Sequence, residues 1–123
     1  MEFREKRHDF TLNISEQVIA QIAQLVVSDV EGVAQVVEPP KSFRRWLLPK
    51  TTNQLVQITP LSDSVEISIF VLLHNGYRIK EVAEQVQNCV KQAVQDLTGN
   101  TVSKVNVSIQ GIAAIFQISH KGL

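Results

Sequence analysis

The hydrophobic pattern of residues 76–112 changes period once, and each period predicts a different element of secondary structure. Over residues 79–97, apolar side chains recur at gaps of three and four, which places them on one face of an α-helix. Gly99 stands just beyond, where a left-handed cap residue is expected. Over residues 102–110, valine and isoleucine alternate with polar residues. The pattern therefore predicts a long amphipathic helix followed by a strand with one buried face.

A second amphipathic helix is predicted near the start of the chain. Ser15 has the side chain of an N-cap residue. Ile14 before it and Ile19 four residues after it have the spacing of a hydrophobic staple. Apolar residues then recur at helical spacing as far as Val30. The helix is predicted to end near residues 29–31, with Gly32 as its C-terminal cap.

Shorter apolar runs predict the strands. Residues 10–14 and residues 33–37 are both β-prone. Residues 54–59 and 65–73 flank a five-residue turn and predict a hairpin. The second strand of this hairpin is apolar on both faces near its end. We therefore expect it to lie in the centre of the sheet or to meet another subunit.

The predicted order of elements is β-α-β-β-β-α-β. This order is typical of an α+β fold, a two-layer domain with two amphipathic helices packed on a mostly antiparallel sheet. The 123 residues are 44% hydrophobic, which is enough for a core. We expect a single domain over residues 1–123, with a frayed N-terminus at 1–9, a loop excursion at 39–53 and a tail at 119–123.

Charge and cysteine content limit the partners and the compartment. Twelve basic and twelve acidic residues cancel, which argues against a general nucleic-acid binder because such proteins need a net positive field. The lone cysteine, Cys89, cannot form an internal disulfide and fits a reducing compartment. The longest apolar run, residues 69–73, is too short to span a bilayer. We expect a cytoplasmic protein that is able to sit at the membrane surface.

Reactive constellations are not found in the sequence. The three histidines, His8, His74 and His120, are scattered and have no metal-ligand spacing. Cys89 falls on the apolar face of the second helix, where it is expected to act as a small buried hydrophobe. The glycines are isolated and form no phosphate loop. We therefore expect no enzyme activity, no metal, no cofactor and no small-molecule substrate.

The segment KSFRRWLLPK, residues 41–50, combines basic and large apolar side chains without an acidic residue. Three interpretations remain open. The segment could tuck its apolar side chains onto its own core, dock on a partner protein, or contact an anionic membrane surface. The residues predicted to make a partner or membrane contact are Lys41, Phe43, Arg44, Arg45, Trp46 and Leu47.

Two phrases, Val-Glu-Gly-Val at 30–33 and Val-Asn-Val at 105–107, resemble motifs of the alkaline shock protein family, the small envelope-stress proteins of Gram-positive bacteria. The resemblance covers about residues 10–112. The matching C-terminal positions are Gly76, Ile79, Glu81, Val82, Ala83, Val86, Gln87, Val90, Lys91, Thr98, Gly99, Val102, Val105, Asn106, Val107, Ile109 and Gly111. The matching N-terminal positions are Ile14, Ser15, Val18, Ile19, Ile22, Ala23, Val30, Glu31, Gly32 and Val33. The chain departs from the family at Arg78, where a small capping residue is common, and at 39–53, where a Gly-rich linker is more usual.

This resemblance implies a non-enzymatic protein of the cell-envelope stress response. Members of the family are abundant, cytoplasmic and prone to self-assembly, and some are held beneath the membrane by an integral-membrane relative. The family has no known catalytic residues or cofactor. We therefore expect a self-associating scaffold, a homo-oligomer that docks to a membrane-anchored protein partner. The alternative is a KH-like module that binds single-stranded RNA, although no two glycines here have the spacing of the Gly-x-x-Gly loop of such modules.

Overall fold

The computed structural model of the chain describes residues 13–41 and 55–113, and these residues form an α+β fold. In chain order the elements are helix α1 (Glu16–Ser28), strands β1 (Val33–Val36), β2 (Gln57–Pro60) and β3 (Val65–Leu73), helix α2 (Ile79–Thr98) and strand β4 (Val102–Ile112). The predicted strand at 10–14 falls mostly outside the described residues, and residues 13–15 belong to no strand. The predicted N-terminus at 1–9, the tail at 119–123 and most of the excursion at 39–53 also lie outside them.

Strand β3 is the central strand of the sheet, as its two apolar faces predicted. On one side, β1 and β2 pair with it end to end and antiparallel: β2 covers its first half and β1 its second. On the other side, β4 pairs with it in parallel from Val65↔Val102 to Leu73↔Ile112. Two of the three pairings are therefore antiparallel, which agrees with the predicted sheet. The third is parallel because α2 carries the chain back across the sheet between β3 and β4.

Helix α1 begins where the sequence predicted. The Ser15 side chain accepts a hydrogen bond from the backbone N–H of Val18 at 3.3 Å. The helix ends at Ser28, close to the predicted end near residues 29–31, but its C-cap is Asp29 and not Gly32 as predicted. The backbone N–H groups of Asp29, Val30 and Val33 each bond the carbonyl three residues earlier, which continues the chain as tight turns. Gly32, with φ of 99°, lies within these turns.

Helix α2 ends as predicted at Gly99, whose φ of 80° is left-handed and whose N–H bonds the Gln95 carbonyl at 3.0 Å. Its N-cap, Arg78, makes no side-chain capping bond. Arg78 instead pairs with Glu81 at 3.5 Å, and both side chains are largely exposed. Because such an exposed pair contributes little, the helix is stabilised mainly by packing of its apolar face.

The core lies between the helices and one face of the sheet. Alternate residues of β3 point into it and are buried, in the order Val65, Ile67, Ile69, Val71 and Leu73. The helix residues that cover them are also buried, namely Ile19, Ala23 and Val27 of α1 and Val82, Val86, Val90 and Val94 of α2. Each position follows the helical or alternating spacing of the sequence. We call the opposite face of the sheet the outer face.

Candidate functional site

The directions of the backbone N–H and C=O groups of β3 determine the directions of those of β4. The N–H of Val65 donates to the carbonyl of Thr101 at 2.9 Å, and the carbonyl of Leu73 accepts from the N–H of Ala113 at 2.8 Å. Odd-numbered residues of β3 therefore direct their hydrogen-bonding groups toward β4. In a parallel ladder, the residue paired with such a position points its own N–H and C=O the other way. The β4 partners of the odd-numbered positions consequently face away from the sheet.

These outward groups form what we call the β4 edge, defined as the outward N–H and C=O groups of Val105, Val107 and Ile109. Their register partners on β3 are Ile67, Ile69 and Val71. Their side chains point to the helix face, where Val105 is buried while Val107 and Ile109 are only half-buried. A strand edge that pairs with no other strand of the described ranges is a template for another strand.

Two glutamines of α2 reach over and bond the beginning of this strand. The side-chain nitrogen of Gln87 donates to the Val105 carbonyl at 3.1 Å. The side-chain oxygen of Gln95 accepts from the Val102 N–H at 3.1 Å. In the part of the chain that the structure describes, the outward groups of Val107 and Ile109 receive no such bond. Among the residues that the structure describes, the strand is thus capped at its start, and none bonds its outward backbone groups from Val107 onward.

Sequence reasoning missed both of these hydrogen bonds, because the spacing of apolar residues on α2 does not show which backbone groups its polar side chains reach. A signal for them exists. The two glutamines are eight residues apart on α2 and so lie on the same side of it, and a long amide side chain can bond a backbone donor or acceptor. The spacing does not reveal that this side of α2 lies directly above the rim of the sheet.

The outer face carries a polar cluster between β3 and β4. The side-chain nitrogen of Asn106 lies 2.7 Å from a carboxylate oxygen of Glu66 and 3.3 Å from the hydroxyl of Ser68. Lys104 is aligned with Glu66 and is exposed. Further along the same face, Phe70 is only 6% exposed. The outer face is therefore polar at one end and apolar at the other.

A second cluster connects the turn that holds Glu31 and Gly32 with Tyr77 and Val82 at the beginning of α2. The Tyr77 hydroxyl donates to a carboxylate oxygen of Glu31 at 3.3 Å. A Cβ added to Gly32 would stand 2.8 Å from a methyl of Val82 and 3.0 Å from the Tyr77 ring. The negative charge of Glu31 raises the pKa of the Tyr77 phenol, and desolvation and the hydrogen bond to Glu31 act in the same direction. This contact fixes the turn after α1 against the turn before α2.

Helix α1 exposes apolar side chains with few charges around them. Leu25 is 71% exposed and Val18 is 42% exposed, and they are seven residues apart on one side of the helix. Glu16 is the one charged residue within the helix, and the other polar side chains are glutamines and a serine. Scattered exposed apolar residues are normal on proteins. This helix is nevertheless less polar than an ordinary solvated one.

Chemically reactive groups do not converge within residues 13–41 and 55–113. No three histidine, cysteine, aspartate or glutamate side chains there could hold a metal ion. Cys89 is half-buried against the core, and no charged side chain is buried in these ranges. His74 is half-buried beside the turn after β3, while His8 and His120 fall outside the described residues.

The predicted contact segment stays a prediction. Lys41 is described and is exposed. The other five predicted residues, Phe43, Arg44, Arg45, Trp46 and Leu47, lie outside the described residues. Among the helices described, none combines the length and the hydropathy needed to cross a membrane.

Comparison with known proteins decides the family. The profile of the alkaline shock protein 23 family, described as having a cell envelope-related function, matches residues 4–114. The chain belongs to this family. The result confirms the resemblance that the two motif phrases carried.

Two relatives show how far the similarity extends. The chain is 28% identical over 104 residues to the uncharacterised protein YloU of Bacillus subtilis (strain 168), covering 82% of this chain and 87% of YloU. It is 32% identical over 103 residues to the uncharacterised protein Spy1535 of Streptococcus pyogenes serotype M6, covering 82% of this chain and 78% of Spy1535.

A solved structure of MamM-CTD H285A shares the fold. Its TM-score to this alkaline shock family chain is 0.50 at 10% sequence identity, with 79% of this chain and 98% of that chain covered. At this identity the likeness concerns the architecture of helices and sheet alone.

The structure also shows which contacts the two motif phrases of this alkaline shock family chain make. Val-Glu-Gly-Val forms the Tyr77 contact, and Val-Asn-Val supplies the β4 edge and the Glu66 contact.

Proposed function

We propose that this protein is a non-enzymatic scaffold of the cell envelope that self-associates through the β4 edge. The observation that carries the proposal is the row of outward backbone groups from Val107 onward, which no described side chain caps. Native proteins usually cover or interrupt a long strand edge, because an open one recruits further strands. An open edge beside half-buried Val107 and Ile109 offers both hydrogen bonds and apolar contact to another protein.

Membership of a cell envelope-related family supports the setting of this scaffold. The proposed location is the cytoplasmic side of the membrane, where the protein acts as a single domain over residues 1–123. The residues proposed to dock a membrane-anchored partner or the membrane surface are Lys41, Phe43, Arg44, Arg45, Trp46 and Leu47. Cationic and aromatic side chains together suit both kinds of contact.

The test of self-association is sedimentation velocity of the full chain over a wide concentration range. Val107→Pro removes an outward N–H, and because that N–H does not bond β3, the internal ladder is kept. Val107→Ala is the matched control, since it shortens the side chain but keeps the N–H. We expect the wild type and Val107→Ala to form oligomers, and Val107→Pro to stay monomeric with an unchanged far-ultraviolet circular dichroism spectrum.

A wild-type chain that sediments as a monomer at every concentration would refute the scaffold. Oligomers of Val107→Pro equal to those of the wild type would instead place the interface elsewhere.

A separate experiment tests the contact segment, residues 41–47. Membrane pull-downs with Trp46→Ala and Arg45→Ala should lose partners that the wild type retains, and unchanged partners would remove residues 41–47 from the proposal.

A further inference from the structure

We infer that the strand received by the β4 edge is β4 of a second copy, antiparallel about Val107, and that Gln87 opposes this pairing in the single copy by bonding the Val105 carbonyl. This inference rests on the proposed function. It goes further by naming the register of the two strands and the residue, Gln87, that opposes their association. Its evidence is the pattern of outward groups, the side chains that come to face one another, and the bond from Gln87 to Val105.

The register follows from which residues point outward. In an antiparallel pair, residues that direct their backbone groups at one another exchange both hydrogen bonds. A two-fold axis at Val107 places Val107 opposite itself and Val105 opposite Ile109 of the second copy. All three outward residues of the β4 edge then pair with outward residues. Moving the axis by one residue in either direction loses one of these pairings.

Side-chain chemistry suits the same register. On the helix face, Val105, Val107 and Ile109 meet only one another, so the half-buried valine and isoleucine gain apolar neighbours. On the outer face, Asn106 comes opposite Ser108 of the second copy, and Lys104 comes opposite Gln110. No like charges face each other. An axis two residues earlier, at Val105, would place the two Lys104 side chains in diagonal positions across the pairing, where like charges repel.

Gln87 is the obstacle to this pairing. Its side-chain nitrogen already donates to the Val105 carbonyl at 3.1 Å. The N–H of Ile109 in the second copy must approach the same oxygen. Association therefore exchanges one bond within the chain for one between chains at each end of the pairing. Gln95 bonds Val102, which lies outside the paired residues, and so it does not compete.

The first experiment removes the Gln87 side chain, which competes for the Val105 carbonyl. Gln87→Ala should tighten self-association of the full chain about tenfold, because two competing side-chain bonds are lost per dimer. Gln85→Ala is the matched control, since Gln85 is an exposed glutamine on the same helix with no bond to β4. Its dissociation constant should equal that of the wild type. A Gln87→Ala chain with the wild-type constant, or a weaker one, would overturn the inference.

The second experiment tests the register directly. In a Cys89→Ala background, Val107→Cys places two thiols across the axis with Cα atoms about 5.5 Å apart, a favourable spacing for a disulfide. In a glutathione redox buffer it should form a covalent dimer much faster than Ser62→Cys, which lies in the exposed β2–β3 turn. Equal rates would overturn the register. If the wild type oligomerises while both experiments fail, the scaffold stands and this interface is wrong. If the wild type is monomeric throughout, both proposals fall.

Discussion

The side-chain nitrogen of Asn106 lies 2.7 Å from a carboxylate oxygen of Glu66 on the outer face of the sheet. The bond joins β3 to β4 from outside, while the backbone ladder joins them within the sheet. Hydrogen bonds to a charged acceptor are shorter and stronger than neutral ones. Asn106 belongs to the Val-Asn-Val phrase, whose valines line the helix face. A single three-residue phrase therefore serves both faces of β4.

Asn106→Asp should destabilise the fold by about 2 kcal/mol at neutral pH, because it replaces a donor to Glu66 with a second carboxylate. Urea unfolding at neutral pH measures the loss. Ser108→Asp adds the same charge two residues further along the same face and should cost less. Equal losses in the two variants would mean that the Glu66 contact is not specific.

The contact between Glu31 and Tyr77 can be followed by titration, because Tyr77 is the one tyrosine of the chain. Glu31→Gln should lower the pKa of the phenol toward its ordinary value of 10.0, since the charge of Glu31 is the main cause that raises it. The ultraviolet absorbance of tyrosinate measures the change. Glu16→Gln, at the opposite end of α1, should leave the titration as in the wild type.

The raised pKa of Tyr77 also determines how the free energy of unfolding changes with pH. The pKa of Tyr77 is higher in the folded chain than its ordinary value, so the protonated phenol favours folding. This contribution is complete below the ordinary value of 10.0 and is lost as the pH rises through the raised pKa. Glu31→Gln should therefore flatten the alkaline decline of the unfolding free energy. A steeper decline in this variant would contradict the assignment of Glu31 as the cause.

A comparison of alanine substitutions at Gly32 and Gly76 separates the cost of backbone strain from the cost of side-chain crowding. Their φ angles are 99° and 98°, but a Cβ on Gly32 would stand 2.8 Å from Val82, whereas nothing lies within 4 Å of one on Gly76. Gly76→Ala should cost about 1 kcal/mol from the left-handed backbone alone. Gly32→Ala should cost about 2 kcal/mol more than that, because the Cβ overpacks the contact. Thermal unfolding measures both, and equal costs would exclude a crowding role for Val82.

Much of the fold could be predicted from the sequence because helix and strand periods are local. The spacing of apolar residues indicated α2 and its Gly99 end, and Ser15 indicated the start of α1. The hairpin of β2 and β3 followed from its turn, and the two apolar faces of β3 placed it at the centre.

The remaining features depend on which elements become neighbours, and a hydrophobic period does not contain that information. It shows that β4 buries one face but not that it pairs with β3 in parallel. For the same reason it does not predict the bond from Gln87 to the Val105 carbonyl, because the position of α2 above the rim of the sheet is not encoded in the period of the helix. Gly32 was placed at the end of α1 because its need for a left-handed backbone was visible, whereas the tight turns before it were not.

Amide hydrogen exchange of β4, compared between dilute and concentrated protein, tests the open edge most directly. The N–H groups of Asn106 and Ser108 point to β3 and should be protected at both concentrations. Those of Val107 and Ile109 point outward, so they should exchange quickly in the dilute monomer and become protected on association. If Val107 and Ile109 still exchange quickly in the assembled protein, or are already protected in the monomer, the β4 edge is not where copies of this protein join.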